Sequence, residues 1–458
     1  MILIIGAGLA GLSMAYHLKD EENIIIEANS YAGGHIYSEK KNGFTWDEGP
    51  HVSFTKNDYV RRFLEENTGT PLLQYPVTIY NYYKGNWIPH PVQTNMYALP
   101  DDLKEECLKS FNNQRSLQSD CLAYDNYADW LISSFGSVFS EYFPFTYTKK
   151  YWTINADRLS TDWIGERVYL PSYEKILESF LRPSDENKHY IDVVRYPTEG
   201  GFISFGKKMI DAANIRFNSK VNKIDLNKKL VYLNNGTEVL KYDVLVNTIP
   251  IPDFIKICSA PQNILEESSK LNCTSVLIFN IAVNHEIQKK FNWFYVYDED
   301  KYSTRINFTE LLSPNNAPKG KCGIQVEVYF SKYLPLHESI KKIGEKVCDE
   351  IIEMGILKSK EHIESIDHKI IERANVIFDT ERKKAQNEVL NWLHKYGLER
   401  EEDDLNPVTN WEQKFDEKSN LGEIILAGRY AQWKYYWTDD CILRGKYICE
   451  RLKLNQKK

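Results

Sequence analysis

The 458-residue sequence lacks the features that mark several classes of protein. Its 8 cysteines form no CxxC pair and have no histidine cluster beside them, which argues against a metal centre and a disulfide scaffold and suits a reducing cytoplasm. No apolar run approaches the roughly 18 residues that a membrane span needs, and nothing precedes the first strand that could serve as a signal peptide. The formal net charge of -7 offers no basic surface for nucleic acid. We therefore expect a cytoplasmic protein without a membrane span or a nucleic-acid partner.

Aromatic residues are abundant, with 30 Tyr, 20 Phe and 10 Trp. A large aromatic core is the simpler interpretation of this content, and a pocket for a planar ring system is the alternative. The chain is also longer than a typical single domain, so more than one domain is expected.

The start of the chain has the pattern of a βαβ unit. Residues 1–5 form an apolar run typical of a buried parallel strand, and residues 6–11 form a glycine-rich turn. Residues 12–19 continue with helical spacing of apolar positions, and residues 23–27 form a second apolar strand. Strand, turn, helix and strand within about 30 residues are the parts of a dinucleotide-binding unit.

The turn at residues 6–11 (GAGLAG) fits the G-x-G-x-x-G fingerprint. In that fingerprint, Gly6 allows the tight turn, Gly8 lets the backbone approach a pyrophosphate, and Gly11 lets the helix pack on the sheet. The helix N-terminus offers free N–H groups to the phosphates. Glu27 ends the second strand, where an acidic residue accepts hydrogen bonds from the adenosine ribose. The unit is therefore predicted to bind an adenine dinucleotide.

Three further segments favour FAD over NAD. Gly33 and Gly34 follow the second strand closely, and residues 428–429 (GR) precede an acidic pair at residues 439–440 that opens a helix. These segments resemble the extended fingerprint of the glutathione reductase and amine oxidase flavoproteins, in which the late helix directs its dipole at the flavin and stabilises the negative charge of the reduced ring. The expected cofactor-binding residues are Gly6, Gly8, Ala10, Gly11, Glu27, Ala28, Gly33, Gly34, His35, Val221, Gly428, Arg429, Asp439 and Asp440.

The rest of the chain divides into a helical part and a strand-rich part. Helical spacing dominates from about residue 100 to 190, and an acidic stretch at residues 399–404 is predicted to be a solvated loop. We expect an α/β protein in which a Rossmann-like FAD-binding domain carries a helical insertion and an antiparallel sheet substrate domain. The predicted strands are 220–224, 229–233, 244–249, 275–282, 322–329 and 424–427, and the predicted later helices are 340–354, 380–396 and one from about 438. The predicted domains are 1–78, 197–262 and 402–458 for FAD, 95–196 for the helical domain, and 263–401 for the sheet.

Five narrower motifs follow one another between and within the FAD segments. They are residues 46–51 (WDEGPH), 87–95 (WIPHPVQTN), 147–152 (YTKKYW), 163–168 (WIGERV) and 428–435 (GRYAQWKY). In this order they resemble the UDP-galactopyranose mutase family, within the FAD amine oxidase-like superfamily, over nearly the whole chain. The resemblance implies an enzyme of glycan biosynthesis that interconverts the pyranose and furanose forms of a nucleotide-linked sugar such as UDP-galactose.

The same resemblance implies the chemistry. FAD acts in its reduced form, flavin N5 attacks the anomeric carbon, and UDP leaves and later returns, so that no net oxidation occurs. The electrons would come from NAD(P)H or reduced flavin, and the chain could form a dimer. The implied catalytic residues are His51, Arg167 and Arg305, with Arg305 gripping the diphosphate. The implied substrate-binding residues are Gln93, Asn95, Tyr147, Thr148, Trp152, Arg305, Lys434 and Tyr435.

Some positions depart from the family pattern. His90 replaces a tyrosine, His35 stands where many members have asparagine, and Asn375 and Val376 replace a Tyr-Pro pair whose tyrosine contacts the diphosphate. The identity of the sugar and of the nucleotide therefore stays open. Two other functions also stay open: an FAD-dependent oxidase or desaturase of the amine or protoporphyrinogen oxidase type, and a non-enzymatic flavin-bound scaffold.

Overall fold

The computed structural model describes residues 1–117, 124–183, 191–289, 291–418 and 420–455. Cys121, one of the scattered cysteines, lies outside the described residues. Within these ranges, no helix is long and apolar enough to cross a membrane.

A parallel sheet forms the centre of the nucleotide-binding domain. The strand Ile2–Ile5 lies in its middle, paired in register with Val244–Asn247 on one side and with Asn23–Ile26 on the other. Ile424–Leu426 and Ile215–Arg216 complete the two edges, and all four pairings are parallel. The central strands consist almost entirely of apolar residues because both faces of such a sheet are covered. The predicted Rossmann-like arrangement is confirmed.

The ends of the chain meet over this sheet. The first helix, Leu9–His17, packs against the last helix, Thr438–Asn455. Gly445 makes the close approach possible, because a β-carbon there would lie 2.3 Å from Oγ of Ser13. The final residues therefore complete the domain that the first residues begin.

A second, larger sheet stands beside the first. Of the described residues, seven strands form it, and each neighbouring pair is antiparallel except Trp293–Val296 with Ile79–Tyr83. The predicted antiparallel sheet is thus confirmed with one parallel pair. Two of its strands precede the helical part of the chain, which the prediction of a sheet within 263–401 did not include. In spatial order the strands are Ile363–Val376, Cys273–Val283, Cys322–Phe330, Arg305–Phe308, Trp293–Val296, Ile79–Tyr83 and Asn86–Pro89.

The helical part lies between these strands in sequence. Its helices share an aromatic core in which Phe111, Tyr127, Phe135, Phe139 and Phe143 are buried, so part of the aromatic content serves packing. The turn Glu141–Phe145 is a π-helical segment that leads into the helix Thr146–Tyr151, which carries the YTKKYW motif. The helices are Asp101–Leu117, Tyr127–Phe135, Ser137–Ser140, Thr146–Tyr151 and Tyr173–Ser179.

The remaining elements support the two sheets. The other helices are Asp58–Asn67, Lys207–Ala212, Ile251–Ile257, Gln262–Ser269, Ile340–Glu353, Arg382–His394 and Trp411–Asp416. Small antiparallel sheets pair Ser38–Lys41 with Phe44–Asp47, Leu72–Pro76 with Val193–Pro197, and Leu230–Leu233 with both Val221–Asp225 and Glu238–Lys241.

The acidic stretch at residues 399–404 is a loop, as predicted, but only part of it is solvated. The Glu401 and Asp403 carboxylates are largely buried, and they form ion pairs with Lys414, Lys434 and Arg444. Burial opposes the ionisation of Asp403, but Lys434 and Lys414 outweigh it and hold the pKa of this carboxyl well below its usual range. The charges of the stretch are therefore neutralised inside the protein by cations from other segments.

Candidate active site

The glycine turn at residues 6–11 contains glycines of two kinds. Gly6 has a φ of +100°, and a β-carbon at Gly11 would lie 2.0 Å from the carbonyl oxygen of Gly6. The chain itself therefore requires glycine at both positions. Gly8 differs, because its φ is -73° and a β-carbon there would meet no protein atom closer than 3.8 Å. The space beside Gly8 is left for something other than the chain, as a pyrophosphate at a helix N-terminus would require.

Two more glycine-containing turns meet at the same helix N-terminus. The N–H of Gly33 donates to the carbonyl of Ala7 at 2.8 Å, and Gly34 approaches Gly8 so closely that a β-carbon would lie 3.0 Å from the Gly8 Cα. A β-carbon on Gly428 would lie 2.8 Å from Cβ of Ala10. Segments that are far apart in sequence thus converge on the start of the helix Leu9–His17.

The expected adenosine end is also assembled from distant segments. The buried carboxylate of Glu27 accepts hydrogen bonds from the N–H groups of Ala7 and Asn29, both at 2.8 Å. The N–H of Ser219 donates to the carbonyl of Glu27 at 2.8 Å, which places the strand beginning at Val221 beside Glu27 and Ala28. A carboxylate has about four acceptor positions, so Glu27 can still accept from a ribose.

The expected flavin end lies at the N-terminus of the helix Thr438–Asn455. Asp440 accepts hydrogen bonds from the N–H of Trp437 at 2.6 Å and from the indole of Trp411 at 2.8 Å. Asp439 accepts from the hydroxyl of Thr55 at 3.1 Å. Both carboxylates are thus held by the protein, and the helix start can offer its N–H groups and positive dipole end to a flavin.

The acidic pair at residues 439–440 should make stability depend on pH. Burial, together with the neighbouring Asp440, raises the pKa of Asp439 to about 6, whereas an unfolded aspartate titrates near 3.9. The folded protein therefore binds the extra proton, and stability falls as the pH rises from about 4 to about 6. Asp439→Asn should stabilise the apoprotein at pH 7 by up to about 3 kcal/mol, with the gain vanishing near pH 4. Urea unfolding at both pH values measures this, and an equal gain at pH 4 would contradict it.

His51 occupies the centre of the candidate site. Burial lowers the pKa of its imidazole to about 3, with Arg305, His35 and Arg429 adding to the effect and Glu48 opposing it. The ring is therefore neutral at physiological pH, and its Nδ1 atom is buried without a hydrogen-bond partner in the described structure. An unpartnered buried nitrogen indicates that a ligand completes this site. His35 lies at its edge and pairs with Glu48 at 2.9 Å.

Arg305 is fixed by a carboxylate on the neighbouring strand. Its Nε and Nη2 atoms donate to the two carboxylate oxygens of Glu327, each at 2.7 Å, and Tyr329 donates to the same carboxylate at 3.1 Å. Two of the guanidinium's five N–H groups are used in this pair, so the others stay available to a ligand. Gly49 lies directly against the pair, since a β-carbon there would come 2.4 Å from a Glu327 oxygen.

Arg167 and Arg429 lie near Asp440, and both arginines oppose the rise in the pKa of this carboxyl that burial causes. The guanidinium of Arg167 lies between the rings of Tyr435 and Trp437, at 4.6 Å and 4.4 Å from their centroids, and donates to the Tyr435 carbonyl at 2.5 Å. Arg429 donates to the carbonyl of Tyr436 at 2.6 Å. Among the described residues neither forms an ion pair with a carboxylate. Two half-buried cations that form no direct ion pair favour the binding of an anion.

A wall of aromatic residues faces these arginines. The ring of Tyr147 lies 5.6 Å from Tyr151, 5.4 Å from Tyr295 and 5.3 Å from Tyr297. Its hydroxyl is buried without a partner in the described structure. The expected substrate residue Trp152 packs 5.6 Å from Tyr435, and Thr148 is buried on the same helix. The wall suits the stacking of a planar base.

The expected substrate residue Lys434 has a different role in the structure. Its side chain is only 1% exposed, and its ammonium pairs with Asp403 at 2.7 Å and donates to Thr409 at 2.8 Å. Because the ammonium points into the ion-pair cluster at residues 401–417, it is not available to a phosphate. This placement does not support the expectation that Lys434 grips the substrate.

Gln93 and Asn95 are likewise engaged with the backbone. Gln93 donates to the carbonyl of Tyr169 at 2.9 Å, and the buried Asn95 donates to the carbonyl of Pro91 at 2.9 Å. Their amide hydrogens stabilise the turn at residues 91–95 and its contact with the segment after residue 168. These hydrogen bonds give Gln93 and Asn95 a structural role, and their contact with a substrate stays a prediction.

Several site residues were not predicted from the sequence. They are Tyr151, Tyr295, Tyr297, Glu327 and Tyr329. Glu327 and Tyr329, and likewise Tyr295 and Tyr297, stand two residues apart, and residues so spaced on a strand point to the same face. That alternation was the signal available in the sequence.

The three glycine turns around one helix N-terminus, the acidic residue at the end of the second strand and the late helix define a dinucleotide-binding flavoprotein fold. A family model for the flavin-containing amine oxidoreductases matches residues 9–321. The chain belongs to this family. The flavoprotein prediction and the superfamily resemblance are confirmed.

Solved structures show the same fold across the chain. The crystal structure of a reduced UDP-galactopyranose mutase aligns with a TM-score of 0.88 at 21% identity, covering 100% of this chain and 94% of that one. A protein from Exiguobacterium sp. 255-15, provisionally named a protoporphyrinogen oxidase, aligns with a TM-score of 0.70 at 16% identity and covers 99% of each chain. Protoporphyrinogen oxidase 2 of Arabidopsis thaliana is 31% identical over 101 residues, which span 21% of this chain and only 20% of that relative.

Proposed function

We propose that the protein is a flavin-dependent isomerase that interconverts the pyranose and furanose forms of a nucleotide-linked sugar, for which UDP-galactose is the first substrate to test. The observation that carries this proposal is the convergence of Arg167, Arg305 and Arg429 with a tyrosine wall around the neutral, buried His51. A nucleoside diphosphate needs both features, since cations hold the diphosphate and aromatic rings stack on the base.

The residues present fit FAD as the cofactor. The space beside Gly8 would take the pyrophosphate, and the unpartnered Nδ1 of His51 and the helix start at Thr438 would face the flavin. When bound and reduced, FAD supplies N5 as the nucleophile for the anomeric carbon. Arg305 would direct its remaining N–H groups at the leaving diphosphate, and Arg167 and Arg429 would stabilise its charge. His51 would hold a proton at the site without carrying charge.

An oxidase of the amine or protoporphyrinogen oxidase type is the second candidate, since the family and one curated relative favour it. The charge of the site separates the two functions. Asp440 interacts with Arg167 and Arg429, but neither arginine forms a direct ion pair among the described residues, so both would repel the cation of an amine substrate and attract a diphosphate. This argument favours the isomerase.

Turnover by the reduced protein tests the proposal. We expect the purified protein to be yellow, and the dithionite-reduced protein to interconvert a nucleotide-linked sugar without consuming oxygen. Because Asn375 and Val376 depart from the family pattern, a panel of UDP-, TDP- and GDP-linked sugars should be assayed by chromatography. The electron donor can be identified by repeating the assay with NADPH, NADH or reduced flavin in place of dithionite.

The oxidised protein, assayed with the same panel, is the control and should be inactive. The oxidase becomes the better assignment if the protein consumes oxygen with an amine or a porphyrinogen and turns over no sugar in either redox state. A colourless protein that takes up no FAD would exclude both.

A further inference from the structure

We propose that Lys150 is a positioning residue that holds Arg305 opposite the tyrosines of the helix Thr146–Tyr151. This inference rests on the proposed function, because it concerns how the diphosphate grip is built. Lys150 belongs to the YTKKYW motif, yet none of the roles discussed above uses its ammonium group.

The ammonium of Lys150 is buried and contacts one loop. The residue is 8% exposed, and its Nζ atom donates to the carbonyl oxygens of Asp298 at 2.5 Å and Lys301 at 3.0 Å. It forms no ion pair with a carboxylate among the described residues, and burial lowers the pKa of the ammonium to about 8. Glu350, Asp298 and Asp300 oppose this effect without a direct ion pair. A buried cation whose hydrogen bonds go only to carbonyls is still costly to stability, which points to a specific task.

The loop that Lys150 contacts leads directly into Arg305. It spans residues 297–304, between the strands Trp293–Val296 and Arg305–Phe308. Glu350, the carboxylate that acts most strongly on the charge of Lys150, accepts hydrogen bonds from the N–H groups of Tyr302 at 2.7 Å and Ser303 at 3.0 Å. A cation and an anion from two separate helices therefore both hold the loop.

The helix that carries Lys150 also carries part of the aromatic wall. Tyr147, three residues earlier, packs against Tyr295 and Tyr297 at the start of the same loop. Lys150 thus fixes the beginning and the middle of the loop, whose first residue, Tyr297, already packs against Tyr147 of the same helix. Without the ammonium, the Lys301 carbonyl would lose its donor and the Asp298 carbonyl would keep only the N–H of Lys301 at 3.4 Å. The loop would then relax, and Arg305 would move relative to the tyrosines.

Lys150→Met should separate diphosphate binding from base binding. The matched control is Lys149→Met, because Lys149 is the adjacent, half-exposed lysine and lies 3.8 Å from Glu299 on the same loop. Calorimetry should show that Lys150→Met weakens UDP about ten-fold, the loss expected when charge-assisted hydrogen bonds are removed. Uridine affinity and the flavin spectrum should be unchanged, and Lys149→Met should match the wild type in all three.

A double-mutant cycle distinguishes positioning from general destabilisation. In an Arg305→Ala background, Lys150→Met should cause no further loss of UDP affinity, because it acts through Arg305. An additive loss, or equal losses of UDP and uridine affinity, would overturn the inference. If Lys150→Met does not fold, Glu350→Gln weakens the hydrogen bonds to Tyr302 and Ser303 of the same loop. It should reduce UDP affinity alone, and an unchanged UDP affinity would then overturn the inference. A wild-type protein that binds UDP no better than uridine would instead remove the proposed function itself.

Discussion

Replacing Gly8 with valine is expected to give a folded protein that carries no FAD. The protein leaves the position beside Gly8 open, since a β-carbon there would meet no atom closer than 3.8 Å and the backbone is in an ordinary extended conformation. The added side chain should therefore leave folding intact and clash only with the pyrophosphate. Overpacking of this kind costs about 1–3 kcal/mol or more, which is up to roughly a hundred-fold in cofactor affinity. Flavin absorbance per protein and the thermal midpoint measure the two effects.

Two other glycines serve as controls for this substitution. Gly69→Ala should keep the flavin, because its β-carbon would meet only the side chain of Lys207, at 3.0 Å from Cγ and 3.3 Å from Cβ, and not the glycine turn at residues 6–11. Gly11→Val should fail to fold, because its β-carbon would lie 2.0 Å from a carbonyl oxygen. A Gly8→Val protein as yellow as the wild type would show that no cofactor lies at this turn.

Arg305→Ala is expected to abolish tight UDP binding while the flavin spectrum stays unchanged. The guanidinium has N–H groups that its pair with Glu327 does not use. It lies among Tyr147, Tyr151, Tyr295 and Tyr329, away from the glycine turn at residues 6–11. Truncating one partner of a desolvated charge contact costs about 2–4 kcal/mol, or roughly thirty-fold to a thousand-fold in affinity. Isothermal titration of UDP measures the loss. Flavin loss in this variant would mean that Arg305 contacts the cofactor instead.

The pairing of Arg305 with Glu327 calls for a second variant. Arg305→Ala alone leaves a buried carboxylate without its partner, which is destabilising by about 3–5 kcal/mol. Glu327→Gln removes that charge, so the double variant Arg305→Ala/Glu327→Gln should recover most of the stability in urea unfolding. UDP binding should stay lost in the double variant. Recovery of UDP binding together with stability would show that the loss in Arg305→Ala was a folding effect.

The nucleotide-binding half of the fold could be predicted because its signals are local. Short, largely apolar runs such as residues 1–5 and 244–249 favour buried strands by their length, and they lie in the structure at Ile2–Ile5 and Val244–Asn247. The glycine turn at residues 6–11 needs no information beyond its own spacing and flanking elements. The last helix, predicted from about residue 438, begins at Thr438.

Long-range charge pairing could not be predicted. The stretch at residues 399–404 has the composition of a solvated loop, yet Glu401 and Asp403 are neutralised by Lys414, Lys434 and Arg444. The expectation for Lys434 was misplaced for the same reason, because its place in a motif does not show where its ammonium points. Composition gives the number of charged residues but does not show which of them form ion pairs across the sequence.

The site itself was predictable in part. His51, Arg167, Arg305 and Tyr147 were named from motifs, and the structure brings them to one region. The partner of Arg305 was not named, because Glu327 lies opposite it only in the register of two strands that are separated by a loop. Likewise, the hydrogen bond from Tyr151 to Asn375, at 3.2 Å, joins a helix to a strand more than 200 residues away.

The visible absorbance of the flavin reports whether a nucleoside diphosphate binds beside the isoalloxazine ring. The purified holoprotein should be titrated with UDP while the visible absorbance of the flavin is recorded, with uridine as the ligand that lacks phosphates. We predict a saturable shift of the flavin bands with UDP and a much weaker response with uridine, because the arginines around His51 hold the diphosphate beside the ring. An unchanged flavin spectrum at UDP concentrations that saturate binding by calorimetry would place the nucleotide elsewhere and contradict the proposed site.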